Sequence, residues 1–214
     1  MSSEDYTRPD FSAAALVIID TQGGFLDGRP LVIPGTTAVL PAISALAAAF
    51  RELSRPIVHI VRIYQKNGRN VDLCRRSAVE RGEKMILEDT PDCRIAPGLL
   101  PENTSPLDYA LLLSGGIQAV SESEVIIYKS RWGAFYRTPL EKHLKARGIT
   151  TLVFAGCNFP NCPRTSIYEA SERDFRIAVA KDALSGLYDR GEVELENIGI
   201  RFMTVAELIS ELKR

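Results

Sequence analysis

Short apolar runs alternate along this chain with longer amphipathic stretches. Ala14-Ala15-Leu16-Val17-Ile18-Ile19 is apolar at every position, as a strand covered on both faces must be, and it ends in a carboxylate, Asp20. After a Gly- and Pro-containing loop (22–35), Val39, Ile43, Leu46, Phe50 and Leu53 recur at helical spacing and form one apolar stripe. A second strand follows over Ile57–Ile63. Residues 64–123 carry Arg, Lys, Gly and Pro and read as a long surface excursion with one apolar helix around Leu107–Leu113. Val125-Ile126-Ile127-Tyr128 is a third strand, which delivers Lys129 at its end. Thr138 and Glu141 spell a capping box with Pro139 at N1 and Gly148 past the helix end. Leu152-Val153-Phe154-Ala155 is a fourth strand, Phe175–Ala180 a fifth and Gly199–Met203 a sixth. A last helix opens on Thr204 and Glu207 and turns Leu208, Ile209 and Leu212 inward. Strands alternating with helices imply an α/β fold with three α/β/α layers around a mostly parallel, six-stranded sheet.

The stretch from Thr151 to Asp174 holds the sharpest chemical signal. It breaks at Gly156 after the apolar run and restarts as a helix, with Cys162 at the N-cap and Pro163 at N1. A sulfur there faces free backbone N–H groups and the positive end of a helix dipole, which lower a thiol pKa and can also hold an oxyanion. The other reading is a small buried hydrophobe, a common fate of cysteine. Asp20, Lys129 and Cys162 each fall at or just past the C-terminal end of a strand, hence on one sheet edge, where α/β sheets bind ligands. Singly they read as a turn residue, a solvated lysine and a packed thiol; together they suggest an acid, a base and a nucleophile.

Composition narrows the classes. A formal net charge of −1 gives no electrostatic footprint for nucleic acid or an anionic membrane surface. Hydrophobic residues at 45% suit a packed globule, and 214 residues suit one domain over residues 1–214. No apolar run reaches membrane-spanning length, and the N-terminus lacks a basic-then-apolar signal pattern, so the expected location is cytoplasmic. Cys74, Cys93, Cys157 and Cys162 show no C-x-x-C spacing, which indicates neither zinc nor a disulfide framework.

The segment LVIIDTQGGF resembles the opening motif of the isochorismatase-like cysteine hydrolases, whose architecture is Rossmann-like. YKSRWGAFYRTPLEKHLKARGITTLVFAG is similar to that family's middle block, and AGCNFPNCPRTSIYEASERDFRIAVAKDA to its third, with cysteine six residues after a glycine. The resemblance implies a catalytic triad of Asp20, Lys129 and Cys162. It also implies a cis peptide bond between Cys157 and Asn158, and oxyanion donors at the backbone N–H groups of Asn158 and Cys162. Gly23-Gly24 departs from the family's frequent Asn-Asp and removes side chains from the pocket rim, and Phe159-Pro160 replaces a frequent threonine. RIYQKNGRNVD lacks the histidines with which nicotinamidase members bind metal, while His59 and His143 lie in a strand and a helix. No metal and no cofactor is therefore expected.

The family's vinyl ether hydrolases lack the cysteine, so its presence favours hydrolysis of an amide or carbamoyl C–N bond through a thioester. The alternatives are an isochorismatase-type vinyl ether hydrolase and a catalytically silent scaffold. Gln22 of the opening motif, with the loop aromatics Phe25, Tyr64, Trp132, Tyr136 and Phe159, are candidate substrate contacts, each with ordinary packing as its other reading. Phe135 belongs with the same aromatics. Arg131, Arg137 and Arg164 are candidates for a substrate carboxylate or plain solvated residues. Arg75, Arg76 and Arg81 read as a polar helix face. The expected partners are a small-molecule substrate and, by resemblance, further copies of the chain in a homodimer or homotetramer.

Overall fold

The computed structural model describes residues 5–29 and 31–214. Seven strands form one sheet: β1 (Ala14–Ile19), β2 (Ile57–Val61), β3 (Ile117–Ala119), β4 (Glu124–Tyr128), β5 (Thr151–Gly156), β6 (Arg176–Leu184) and β7 (Arg201–Met203). Their order is β3-β4-β2-β1-β5-β6-β7, and every pair is parallel except β3 with β4. The helices are α1 (Thr36–Glu52), α2 (Leu73–Glu80), α3 (Tyr109–Leu113), α4 (Leu140–Lys145), α5 (Cys162–Ser171), α6 (Asp189–Glu196) and α7 (Val205–Leu212). The three-layer α/β/α architecture read from the sequence is present, with seven strands rather than six. The extra strand, β3, is a three-residue antiparallel edge piece inside the 64–123 excursion, too short for periodicity to reveal.

Alternate residues along each strand feed two cores. Ala15, Val17 and Ile19 of β1 join Leu152 and Phe154 of β5 and face Leu144 of α4, Ile167 of α5 and Leu195 of α6. Leu16 and Ile18 join Val153 and Ala155 on the other face, against Ile43, Leu46 and Phe50 of α1 and Leu208 and Leu212 of α7. Both faces are covered, which is why the strands read as unbroken apolar runs. The long excursion packs inward: a Cβ on Gly23 would meet Pro91 O at 2.8 Å, and one on Gly24 would meet Ile86 Cδ1 at 2.6 Å. Those glycines let the excursion approach the main chain instead of merely clearing a pocket rim.

Two helix starts depart from the sequence reading. The capping box forms at Thr204 and Glu207, but α4 has none. Thr138 Oγ1 donates instead to Ala134 O at 2.5 Å, and Glu141 turns outward to Lys145 and Arg173. The cap of α5 is Asn161, so Cys162 is the first helical residue and Pro163 the second.

Candidate active site

The adjacent strands β4, β2, β1 and β5 direct one reactive group each to the sheet's C-terminal edge. Asp20 follows β1, Arg62 follows β2, Lys129 follows β4, and Cys162 opens the helix after β5. Main-chain ladders register them: Asp20 N–H donates to Ile60 O (2.9 Å), Lys129 N–H to Val61 O (3.0 Å) and Cys157 N–H to Ile19 O (2.9 Å). At Gly156, with φ of 120°, a Cβ would collide with the main chain of Ile19, so only glycine lets β5 turn off so close to β1. The Cys157–Asn158 bond is cis, as the resemblance implied.

Lys129 is wholly buried; its Nζ donates to Asp20 Oδ2 at 2.7 Å and to Arg131 O at 3.2 Å. Asp20 Oδ1 is buried too and has no hydrogen-bond partner among the described residues. Asp20 and Cys162 line one pocket of ≈ 160 Å³ together with Arg62, Arg75, Phe25 and Trp132. Asn158 and Asn161 form its loop side. Among the described residues the N–H groups of Asn158 and Cys162 donate to no acceptor. A neighbouring lobe of ≈ 130 Å³ shares Phe25, Ile33, Arg62 and Arg75 and adds Leu31, Tyr64, Met85 and Ile86. Cavities of ≈ 310 and ≈ 450 Å³ lie elsewhere and hold no thiol, so chemistry rather than size locates the site.

The surroundings correct the expectation of a lowered thiol pKa. Burial first, and the charge of Asp20 second, push the Cys162 thiol up; Lys129 and Arg62 pull it down without prevailing. Cys157 is pushed further up, by complete burial and then by Asp20, and its Sγ donates to Asp20 O at 3.0 Å.

The sequence candidates divide sharply. Phe25, Trp132 and Asn158 line the pocket with Asp20 and Cys162, behind which Lys129 is buried, and Tyr64 lines the neighbouring lobe. Gln22 is wholly buried and its amide is spent on the fold: Nε2 donates to Arg62 O and Cys93 O, and Oε1 accepts from Arg62 N–H. Phe159 turns into the core, edge-on to Tyr188 at 5.3 Å, while Tyr136 projects outward, 42% exposed, beside Arg137. Arg164 pairs with Glu194 and Tyr188 away from the pocket. None of these four reaches the site. The arginines that do are Arg62 and Arg75, the second read from sequence as surface. Arg62 Cζ lies 5.5 Å and Arg75 Cζ 4.7 Å from the Trp132 ring centre. The signal that marks them is their position beside Tyr64 and Asp72, just past the second strand. Among the described residues no cluster of three His, Cys, Asp or Glu side chains is arranged for a metal. His59 faces Glu124 and His143 lies beside Arg147.

A family model, the isochorismatase domain, matches residues 14–209. The chain is 26% identical to a probable inactive nicotinamidase of Arabidopsis thaliana over 92% of this chain and 95% of that one. It is 26% identical to a maleamate amidohydrolase of Pseudomonas putida, covering 88% and 80% respectively. An isochorismatase family protein from Desulfovibrio vulgaris superposes with a TM-score of 0.79 at 26% identity, over 94% of this chain and 99% of that one. No helix among the described residues is long and apolar enough to cross a membrane.

Proposed function

The chain belongs to the isochorismatase family, and from that premise we propose that it is a cysteine hydrolase cleaving the C–N bond of a small amide or carbamoyl compound. One observation carries the reading: Lys129 occupies one oxygen of Asp20, and the other oxygen is buried and bare in the pocket that Cys162 shares. That oxygen is an acceptor for the thiol proton. As it leaves, Sγ bonds to the substrate carbonyl carbon and the carbonyl π electrons move to oxygen. The N–H groups of Asn158 and Cys162 receive the oxyanion, each such donor being worth roughly 3 kcal/mol. Asp20 then gives its proton to the nitrogen, the C–N bond breaks, and the amine or ammonia departs. Water attacks the thioester carbonyl and its proton passes to Asp20; the oxyanion then re-forms C=O as the C–S bond breaks, and Asp20 returns the proton to sulfur, which releases the acid and restores the thiol.

The pocket's ≈ 160 Å³ favours a small substrate, and two guanidiniums against one carboxylate at its wall favour an anionic one. Arg75, half-exposed at that wall, takes the part first given to Arg131, Arg137 and Arg164. The maleamate amidohydrolase at 26% identity supports amide cleavage as the chemistry. A second reading, a silent member of the fold, is favoured by the relative described as a probable inactive nicotinamidase. The test is ammonia release or product formation from primary amides, N-carbamoyl acids and isochorismate, with Cys162→Ala as control. Turnover lost in Cys162→Ala supports the hydrolase. Turnover retained there removes the thiol from the mechanism, and none by the parent on any substrate favours the silent reading.

A further inference from the structure

Arg62 is 2% exposed, and its Nη2 stands 3.8 Å from Cys162 Sγ. Nη1 donates to Asp72 Oδ2 at 2.5 Å, Nη2 to Arg131 O at 2.7 Å, and the main-chain N–H to Gln22 Oε1 at 2.8 Å. Trp132 and Tyr64 lie 5.5 and 5.8 Å from its Cζ. A guanidinium does not shed its proton when desolvated, so a fold that buries one must hold it with partners. Here the main partner is Asp72, itself 3% exposed and also engaged by Tyr64 Oη at 2.6 Å and Arg75 at 3.3 Å. Packing alone does not call for such a charge beside a sulfur.

Proton transfer from the thiol to Asp20 moves a negative charge from oxygen to sulfur. Lys129 is bound to the Asp20 oxygen, so by itself it is left beside the group that has just become neutral. A cation on the sulfur makes the transfer an exchange between two paired sites instead of a separation of charge. We propose that Arg62 is a second cation of the reacting centre, steadying the Cys162 sulfur while it is anionic, and that Asp72 is the positioning residue that aims it. This rests on the hydrolase reading for the anionic stage, and the contact with the sulfur stands apart from it. The charged and titratable groups at the sulfur are Asp20, Lys129, Cys157, Arg62 and Arg75, with Asp72, Tyr64 and Arg131 grouped around Arg62.

The test reads the sulfur directly. The full chain carrying Cys74→Ser, which removes the exposed thiol, is treated with iodoacetamide across a pH series, and the Cys162 peptide is quantified by mass spectrometry. In Arg62→Gln or Arg62→Met the midpoint of alkylation rises by about one pH unit, which slows alkylation about tenfold at a fixed pH below it. Arg62→Lys keeps the charge and stays closer to the parent. Where the parent turns over an amide, kcat falls at least as far in the neutral variants. Asp72→Asn lowers kcat in the parent and adds nothing to Arg62→Gln. A parental midpoint in whichever neutral variant folds, or a lysine variant displaced as far as the neutral ones, overturns the proposal. Absence of amide turnover sinks the hydrolase reading while leaving the alkylation series to decide the role of Arg62.

Discussion

Two buried carboxylates stand at opposite edges of one sheet, and one difference between them separates chemistry from architecture. Glu124, at the start of β4 and 1% exposed, has every oxygen occupied. Oε1 meets His59 Nε2 at 2.7 Å and Arg51 at 2.6 Å, and Oε2 accepts from Arg51 Nε at 2.8 Å. Asp20, past the end of β1 and 3% exposed, has one oxygen on Lys129 and the other bare. A buried charge is costly in either place. Where each oxygen is engaged, the cluster holds the fold together. Where one is left open toward a pocket, the open site is what a reacting proton needs.

The comparison is tested most severely by exchanging charge at each edge. Asp20→Asn keeps an oxygen for Lys129 but removes the base, and turnover of any amide the parent cleaves should fall by roughly 10²–10⁴. Retained turnover, measured by ammonia release on protein with parental circular dichroism, would break the assignment of the open oxygen. Glu124→Ala strands Arg51 and His59 and should cost about 3–5 kcal/mol in urea unfolding. Activity per folded molecule stays as in the parent.

Acid sharpens the contrast. Burial works to raise the Glu124 pKa, but hydrogen bonds from Arg51 and His59 with their charges prevail and hold it at about 2, below the ordinary 4.5. A carboxyl depressed on folding contributes stability that is complete above its unfolded pKa and is lost as pH falls through the folded one. Between pH 4.5 and about 2 the parent should therefore lose about 3 kcal/mol that Glu124→Gln never had, as read by urea midpoints along a pH series. The smallest effect belongs to the pocket wall: Arg75→Met should raise KM for anionic amides about tenfold, about 1.4 kcal/mol, with kcat near parental. An equal rise for neutral amides would show that Arg75 packs the wall without reading charge.

What the sequence made legible follows from how local each signal is. β1 and β5 are apolar without interruption because helices cover both faces, so they and the groups at their ends could be read from the chain alone. Arg62 could not, because an arginine after a strand looks solvated until Trp132, seventy positions on, lies against it. Loop position also says nothing of direction. Phe159 turns inward because Gly191 leaves room for its ring, where a Cβ would stand 2.5 Å from Phe159 Cε1. Thr138 and Thr204 open the same motif, yet only Thr204 is free of a competing carbonyl.

Asp20 and Lys129 hang on ladder rungs between central strands, whereas Arg75, Met85 and Ile86 belong to the excursion, whose helix α2 has no buried residue. Fraying of α2 beyond Asp72 takes Arg75 from the outer wall while leaving Asp20, Lys129, Cys162 and the Asp72–Arg62 pair in place. On warming, discrimination among amides is then lost at a lower temperature than reactivity itself. Selectivity and turnover measured over one temperature ramp will part company if the wall melts first, and will fall together if it does not.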